Sequence, residues 1–255
     1  MRLDFTGERV LAVMAHPDDA ELLCAGTLAR ARAGGAEAIG VCVMCDGRKG
    51  VSSAAAAAAS SPASSASSTS SSSATLAGTR RSEASESAKL LGAELLWFGA
   101  PDGELFDDVS HRQRLVEIYR AFRPTLVITH SDADYHPDHR AASALAEAAT
   151  WFAASRGHVT AGVDPLEAPP SLWWADAINM SGFEPGFYVD VSAYAGQKRK
   201  MLECHRSQLQ RGTDVDFAPL TDLITRQSQA RGAQSGVTAA EAFRPHHGFK
   251  RLQAW

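Results

Sequence analysis

The chain has 255 residues, 45% hydrophobic and 21% charged, which suits one large domain or two small ones with a buried core. Its 25 Lys and Arg against 29 Asp and Glu leave a formal charge of -4, which argues against nucleic acid or an anionic membrane as the main partner. No apolar run approaches the roughly 20 residues of a membrane span, and the first residues do not follow the pattern of a secretory signal, so a cytoplasmic protein is expected.

Residues 8–15 form an apolar run expected as a strand. A helix follows over 19–33, with Leu22, Leu23 and Leu28 at helical spacing and a stop at Gly34-Gly35. Ala38–Cys45 is a second apolar strand. It carries Cys42 and Cys45 at C-x-x-C spacing, but residues three apart on a strand point to opposite faces. The two thiols are therefore read as small core side chains. Of the 23 residues over 52–74, 21 are Ser or Ala and none is charged. Such a segment buries too little surface to offset its ordering entropy, and it predicts a flexible insertion over about 52–79.

Beyond the insertion, a helix is expected over 80–91, a strand over 94–98, an amphipathic helix over 108–122, a strand over 125–129 and an alanine-rich helix over 139–155. Further strands are expected over 172–178 and 187–191, then helices over 193–210 and 217–229. This order predicts one α/β domain spanning the chain, a Rossmann-like and mostly parallel sheet with helices on both faces.

In such a sheet, ligands bind where strands end and helices begin. After the first strand come His16, Pro17, Asp18 and Asp19, with no glycine-rich phosphate loop. After the strand over 125–129 come His130, Asp132, Asp134, His136, Asp138 and His139. His16 and Asp19, three apart across a strand-to-helix turn, can bring an imidazole nitrogen and a carboxylate oxygen onto one ion, and His139 can add a third donor. Two His and one carboxylate with an open position form a catalytic zinc pattern. Asp18 is left free to act as a base toward water at the metal. Each junction alone is better explained as a helix N-cap; two of them, both at strand ends of a parallel sheet, favour one Zn2+ per chain. Asp138 is either a partner orienting His136 or His139 or an ordinary cap. His130, Asp132 and Asp134 receive no role as ligands, and Asp46 and Asp102 are kept as site-wall residues.

Four segments, from Val13 through His16-Pro17-Asp18-Asp19 to Glu21, Cys45-Asp46-Gly47, Pro101-Asp102-Gly103, and Asp134-Tyr135-His136-Pro137-Asp138-His139, resemble the signatures of the PIG-L/LmbE-type zinc-dependent de-N-acetylases. The distal runs over 187–192, 205–208 and 236–243 are similar to the bacterial branch that includes deacetylases of N-acetylglucosaminyl-malate in bacillithiol synthesis. The resemblance implies zinc on His16, Asp19 and His139, Asp18 as general base, and His136 as oxyanion stabiliser or acid. It also implies a substrate contact at Arg80, with Arg81 an equally basic neighbour. The implied activity is removal of an N-acetyl group from an N-acetylglucosaminyl small molecule, and related enzymes form trimers or hexamers. The alternatives are another acylated sugar or secondary metabolite as substrate, or a non-catalytic zinc- or sugar-binding protein.

Overall fold

The computed structural model describes residues 4–51, 66–213 and 219–248. They form one domain with a seven-stranded sheet in the order β3-β2-β1-β4-β5-β7-β6. The strands are β1 (Arg9–Met14), β2 (Ala38–Cys45), β3 (Glu94–Ala100), β4 (Leu126–Thr129), β5 (Ser171–Ala175), β6 (Phe187–Asp190) and β7 (Ala240–Pro245). β1 to β5 pair in parallel, while β7 runs antiparallel between β5 and β6. The expected mostly parallel sheet is present, and β7 is an addition to it.

Helices cover both faces because the central strands are apolar on both. In β1, Val10, Ala12 and Met14 join one core cluster, while Leu11 and Val13, with Ala15 just beyond, join the other. This two-residue alternation, apolar on each side, is what a doubly covered parallel strand requires. β2 alternates likewise until the irregular register between Val43 and Cys45, after which Met44 and Cys45 both enter the second cluster.

The helices are α1 (Asp19–Leu23), α2 (Ala25–Ala33), α3 (Ala66–Leu91), α4 (Val109–Phe122), α5 (Pro137–Phe152), α6 (Ala195–Leu202), α7 (Arg206–Leu209) and α8 (Leu220–Ser235). Two expected helices are broken. The first turns at Cys24, whose φ of -145° leaves the helical region, and the one over 193–210 breaks before His205. Within the predicted insertion, residues 66–79 are helical and run on into the expected helix over 80–91. The remainder of the predicted insertion, 52–65, lies outside the described residues. No helix among the described residues is long and apolar enough to cross a membrane.

The topology positions the site. The chain runs outward from β1 to β2 and β3, then returns to place β4 on the other side of β1, which makes the β1–β4 boundary the switch point of the sheet. There Val13 pairs with Thr129, so the segments beginning at Ala15 and His130 emerge side by side.

Candidate metal centre

Three groups of donors cluster beyond these two strand ends: His16, His136 and His139; Asp19, His130 and His139; and His16, Cys45 and Asp138. Within each, the donor atoms lie within 4.8 Å of one another. At the β1 end, Pro17 cannot continue the ladder, and Asp18 takes a φ of 111°, a conformation costly for a residue with a Cβ. The turn it makes directs Asp19 back, and Oδ2 of Asp19 accepts the backbone N–H of His16 at 2.7 Å. At the β4 end, Oδ1 of Asp134 accepts the His136 amide at 2.9 Å, curling the loop into α5, where Pro137 occupies the first turn.

One carboxylate oxygen is shared. Nδ1 of His16 and Nε2 of His139 both lie 3.3 Å from Oδ2 of Asp19. On the far side of each ring stands a second carboxylate. Nε2 of His16 hydrogen-bonds Oδ2 of Asp138 at 3.1 Å, and Nδ1 of His139 is 3.1 Å from Oδ1 of Asp134. Metal-binding imidazoles are oriented in this manner, with the outer N–H on a carboxylate and the inner lone pair on the ion. His16, Asp19 and His139 therefore fit a divalent cation. Electrostatics agree. Burial disfavours a charged His16, but its hydrogen bonds to Asp138 and Asp19 outweigh this and push its pKa up to about 10. His139 behaves likewise against burial, pushed up to about 9 by Asp19 and Asp134. Burial would raise Asp19, yet His139, His130 and His16 hold it well below the usual range. A cage that favours a proton so strongly favours a metal ion for the same reason.

His130 has a different role. Its Nε2 accepts the Ala15 amide at 2.9 Å, which occupies the lone pair nearest Asp19. Burial, then the neighbouring His139, pushes its pKa down to about 4. This fully buried ring stacks 3.9 Å from His139, which it supports, and fixes the β1 terminus.

Asp18 and Arg80 face each other beside the cage. Nη2 of Arg80 is 3.0 Å from Oδ2 of Asp18 and also donates to the carbonyl of Pro17, while Nη1 reaches the Gly47 carbonyl at 3.3 Å. Burial raises the Asp18 pKa, and Arg80 opposes the rise. Arg80 lines the cavity, but its guanidinium already holds Asp18 and two carbonyls, which makes it a support for Asp18 before it is a substrate contact. Gly47 is required here: its φ is 73° and a Cβ would come within 2.5 Å of Arg80 Nη1. Asp102 secures the same loop, accepting the amides of Gly47 at 2.7 Å and Lys49 at 2.8 Å.

His136 caps α5 by accepting the Asp138 amide on Nδ1 at 3.1 Å. Burial, then His16 and His139, lower its pKa. A neutral ring that accepts on Nδ1 must carry its hydrogen on Nε2. His136 in that form can donate a hydrogen bond into the cavity without carrying a charge. Asp138 meets neither expectation as stated: His136 is the cap of α5, and the Asp138 carboxylate takes His16 Nε2 and the Gly103 amide, so the ring it orients is His16. Asp134, given no role from sequence, is the partner of His139; only its position five residues before that histidine hinted at it.

His16, Asp18, Asp19, Arg80, Asp102, His136, Asp138 and His139 line a cavity of about 760 Å³, whose other walls include Lys49, Tyr135, Ile178 and Leu223.

The chain is 28% identical over 167 residues to 4-oxalmesaconate hydratase of Pseudomonas putida, covering 63% of this chain and 61% of that protein. It is 28% identical over 201 residues to 1D-myo-inositol 2-acetamido-2-deoxy-alpha-D-glucopyranoside deacetylase of Corynebacterium efficiens, covering 68% and 62%. The chain thus spans about three fifths of the length of these two relatives. Among solved structures, N,N'-diacetylchitobiose deacetylase of Pyrococcus horikoshii superposes with a TM-score of 0.75 at 25% identity, over 93% of this chain and 83% of that one. Residues 11–150 match the model of the PIG-L family, described as GlcNAc-PI de-N-acetylase, and the chain belongs to that family.

Proposed function

We infer that this chain is a zinc-dependent hydrolase that removes the N-acetyl group of a small N-acetylglucosaminyl compound in the cytoplasm. The observation that carries the reading is Asp18, a buried carboxylate on the cavity wall, adjacent in sequence to Asp19 and held by Arg80. A binding protein gains nothing from a carboxylate there, whereas hydrolysis needs a base. The Corynebacterium and Pyrococcus deacetylases, which act on N-acetylated amino sugars, support the substrate class. Four free and buried cysteines suit a reducing compartment.

His16, Asp19 and His139 would hold the ion, with Asp138 and Asp134 fixing the two rings. Zinc held there would supply polarisation of the acetyl carbonyl and a lowered pKa for water near neutral pH. Asp18 takes the proton from the attacking water and returns it to the departing amine; burial makes it a stronger base than an exposed aspartate. His136 donates Nε2–H to the carbonyl oxygen as negative charge grows, and one such donor is typically worth ~3 kcal/mol of barrier. The test is amine release from N-acetylglucosamine conjugates together with metal content, for wild type and Asp18→Ala. Metal in both and loss of release only in the variant supports the reading.

A second reading is water addition to a carbon–carbon double bond, favoured by the Pseudomonas hydratase. The same base and ion would serve it. Turnover of an unsaturated tricarboxylate with no amine released from any acetylated sugar would select it.

A further inference from the structure

Cys45 has no exposed surface, and the register irregularity at the end of β2 brings it to the side of the sheet occupied by Met44. Its thiol lies within 4.8 Å of a His16 nitrogen and an Asp138 oxygen, which are likewise that close to each other. A tetrahedral ion with bonds of roughly 2.0–2.3 Å keeps its donors about 3.3–3.8 Å apart, so movements of roughly 1 Å close the set. The two edges of the His16 ring face different carboxylates: Nδ1 is turned to Asp19, and Nε2 to Asp138. His16 and Asp138 both line the cavity, which gives an ion its route in.

The donor chemistry selects the ion. A thiolate with one imidazole and one carboxylate suits soft d10 cations and is a poor site for Mg2+ or Ca2+. Only a thiophilic cation displaces the proton of a thiol efficiently, and the Asp138 carboxylate beside it adds a hard donor that draws the cation in.

We propose that Cys45, Asp138 and the Nε2 edge of His16 form a second cation position, specific for soft d10 ions such as Cd2+, behind the His16–Asp19–His139 position and sharing the His16 ring with it. Binding forms bonds to Sγ, Nε2 and a carboxylate oxygen, and releases two protons, one from the thiol and one from Nε2; no oxidation state changes. The inference rests on the metal-centre reading and is independent of the substrate.

The test is titration of metal-free protein with Cd2+, following the ultraviolet thiolate-to-cadmium charge-transfer band and counting metal retained after gel filtration. Wild type is expected to bind two equivalents, one of which produces the band. Cys45→Ser is expected to bind one without it, and Cys204→Ser to behave as wild type. One equivalent in wild type, with or without the band, overturns the second position. So does a band that survives in Cys45→Ser or is lost in Cys204→Ser. Thermal melts verify folding, and Cys45→Ala replaces Cys45→Ser if the latter does not fold. Failure of the deacetylase reading appears separately, as absent amine release from zinc-loaded protein, and leaves the cadmium count unchanged.

Discussion

Nη2 of Arg80 stands 3.0 Å from Oδ2 of Asp18, with both side chains almost wholly withdrawn from solvent. Removing one member of such a pair strands the other charge in the interior. Arg80→Met is expected to lower stability by about 3–5 kcal/mol in urea denaturation. Because the guanidinium supports Asp18, the loss of turnover should fall mainly on kcat. A variant with normal kcat and a raised KM would instead make Arg80 a substrate contact.

Asp18→Asn keeps the shape and removes the base. Amine release is expected to fall by roughly 10²- to 10⁴-fold, with zinc content unchanged by elemental analysis. Loss of zinc in this variant would move Asp18 into the ligand set.

Asp134 acts on the metal through His139. Asp134→Asn should weaken zinc binding by about 10- to 100-fold in a chelator competition. Unaltered affinity would reduce the 3.1 Å approach of the two side chains to a loop contact.

His205 is fully buried with Nε2 3.3 Å from Oε1 of Glu21, which also accepts the Ser87 hydroxyl. Burial opposes both charges. Glu21 nevertheless raises His205 above 6.5, and His205 with Ser87 lowers Glu21 below 4.5. The raised histidine stabilises the fold fully below 6.5 and loses that contribution as pH climbs through its folded value. The lowered carboxylate stabilises fully above 4.5 and loses its share as pH falls through its folded value. The stability advantage of wild type over Glu21→Gln should therefore be greatest between 4.5 and 6.5 and shrink on either side. Melting temperatures across the pH range check this, and an advantage still growing at alkaline pH would contradict it.

The architecture was legible where local pattern and packing agree. β1 and β2 are apolar on both faces, so a plain run of Val, Leu, Ile and Ala announced them. β7 was missed because its Glu241 is buried, taking the amides of Gly26 and Thr27 and the ammonium of Lys198 at 2.9, 2.7 and 2.7 Å; in sequence such a residue looks solvated. The break at Cys24 was invisible because that small apolar residue keeps the helical phase. At the site, His16, Asp18 and Asp19 could be read from three-residue spacing across one turn. The tautomer of His136 and the partnership of Asp134 with His139 depend on how a loop curls onto α5, and no spacing encodes that.

The β1–β4 register has a consequence for how the protein matures. Thr129 donates its hydroxyl to the Val13 carbonyl across 116 residues of sequence, so the two halves of the donor cage meet only when the sheet has closed at its centre. A chain released before β4 holds half a cage, and the unfolded chain holds none. An ion bound at the completed cage therefore rewards late, long-range assembly: at a free concentration of 100 Kd it adds about 2.7 kcal/mol to the folded state alone. Metal supply in the cell would then govern how much of this chain survives as folded protein, as well as how much of it is active.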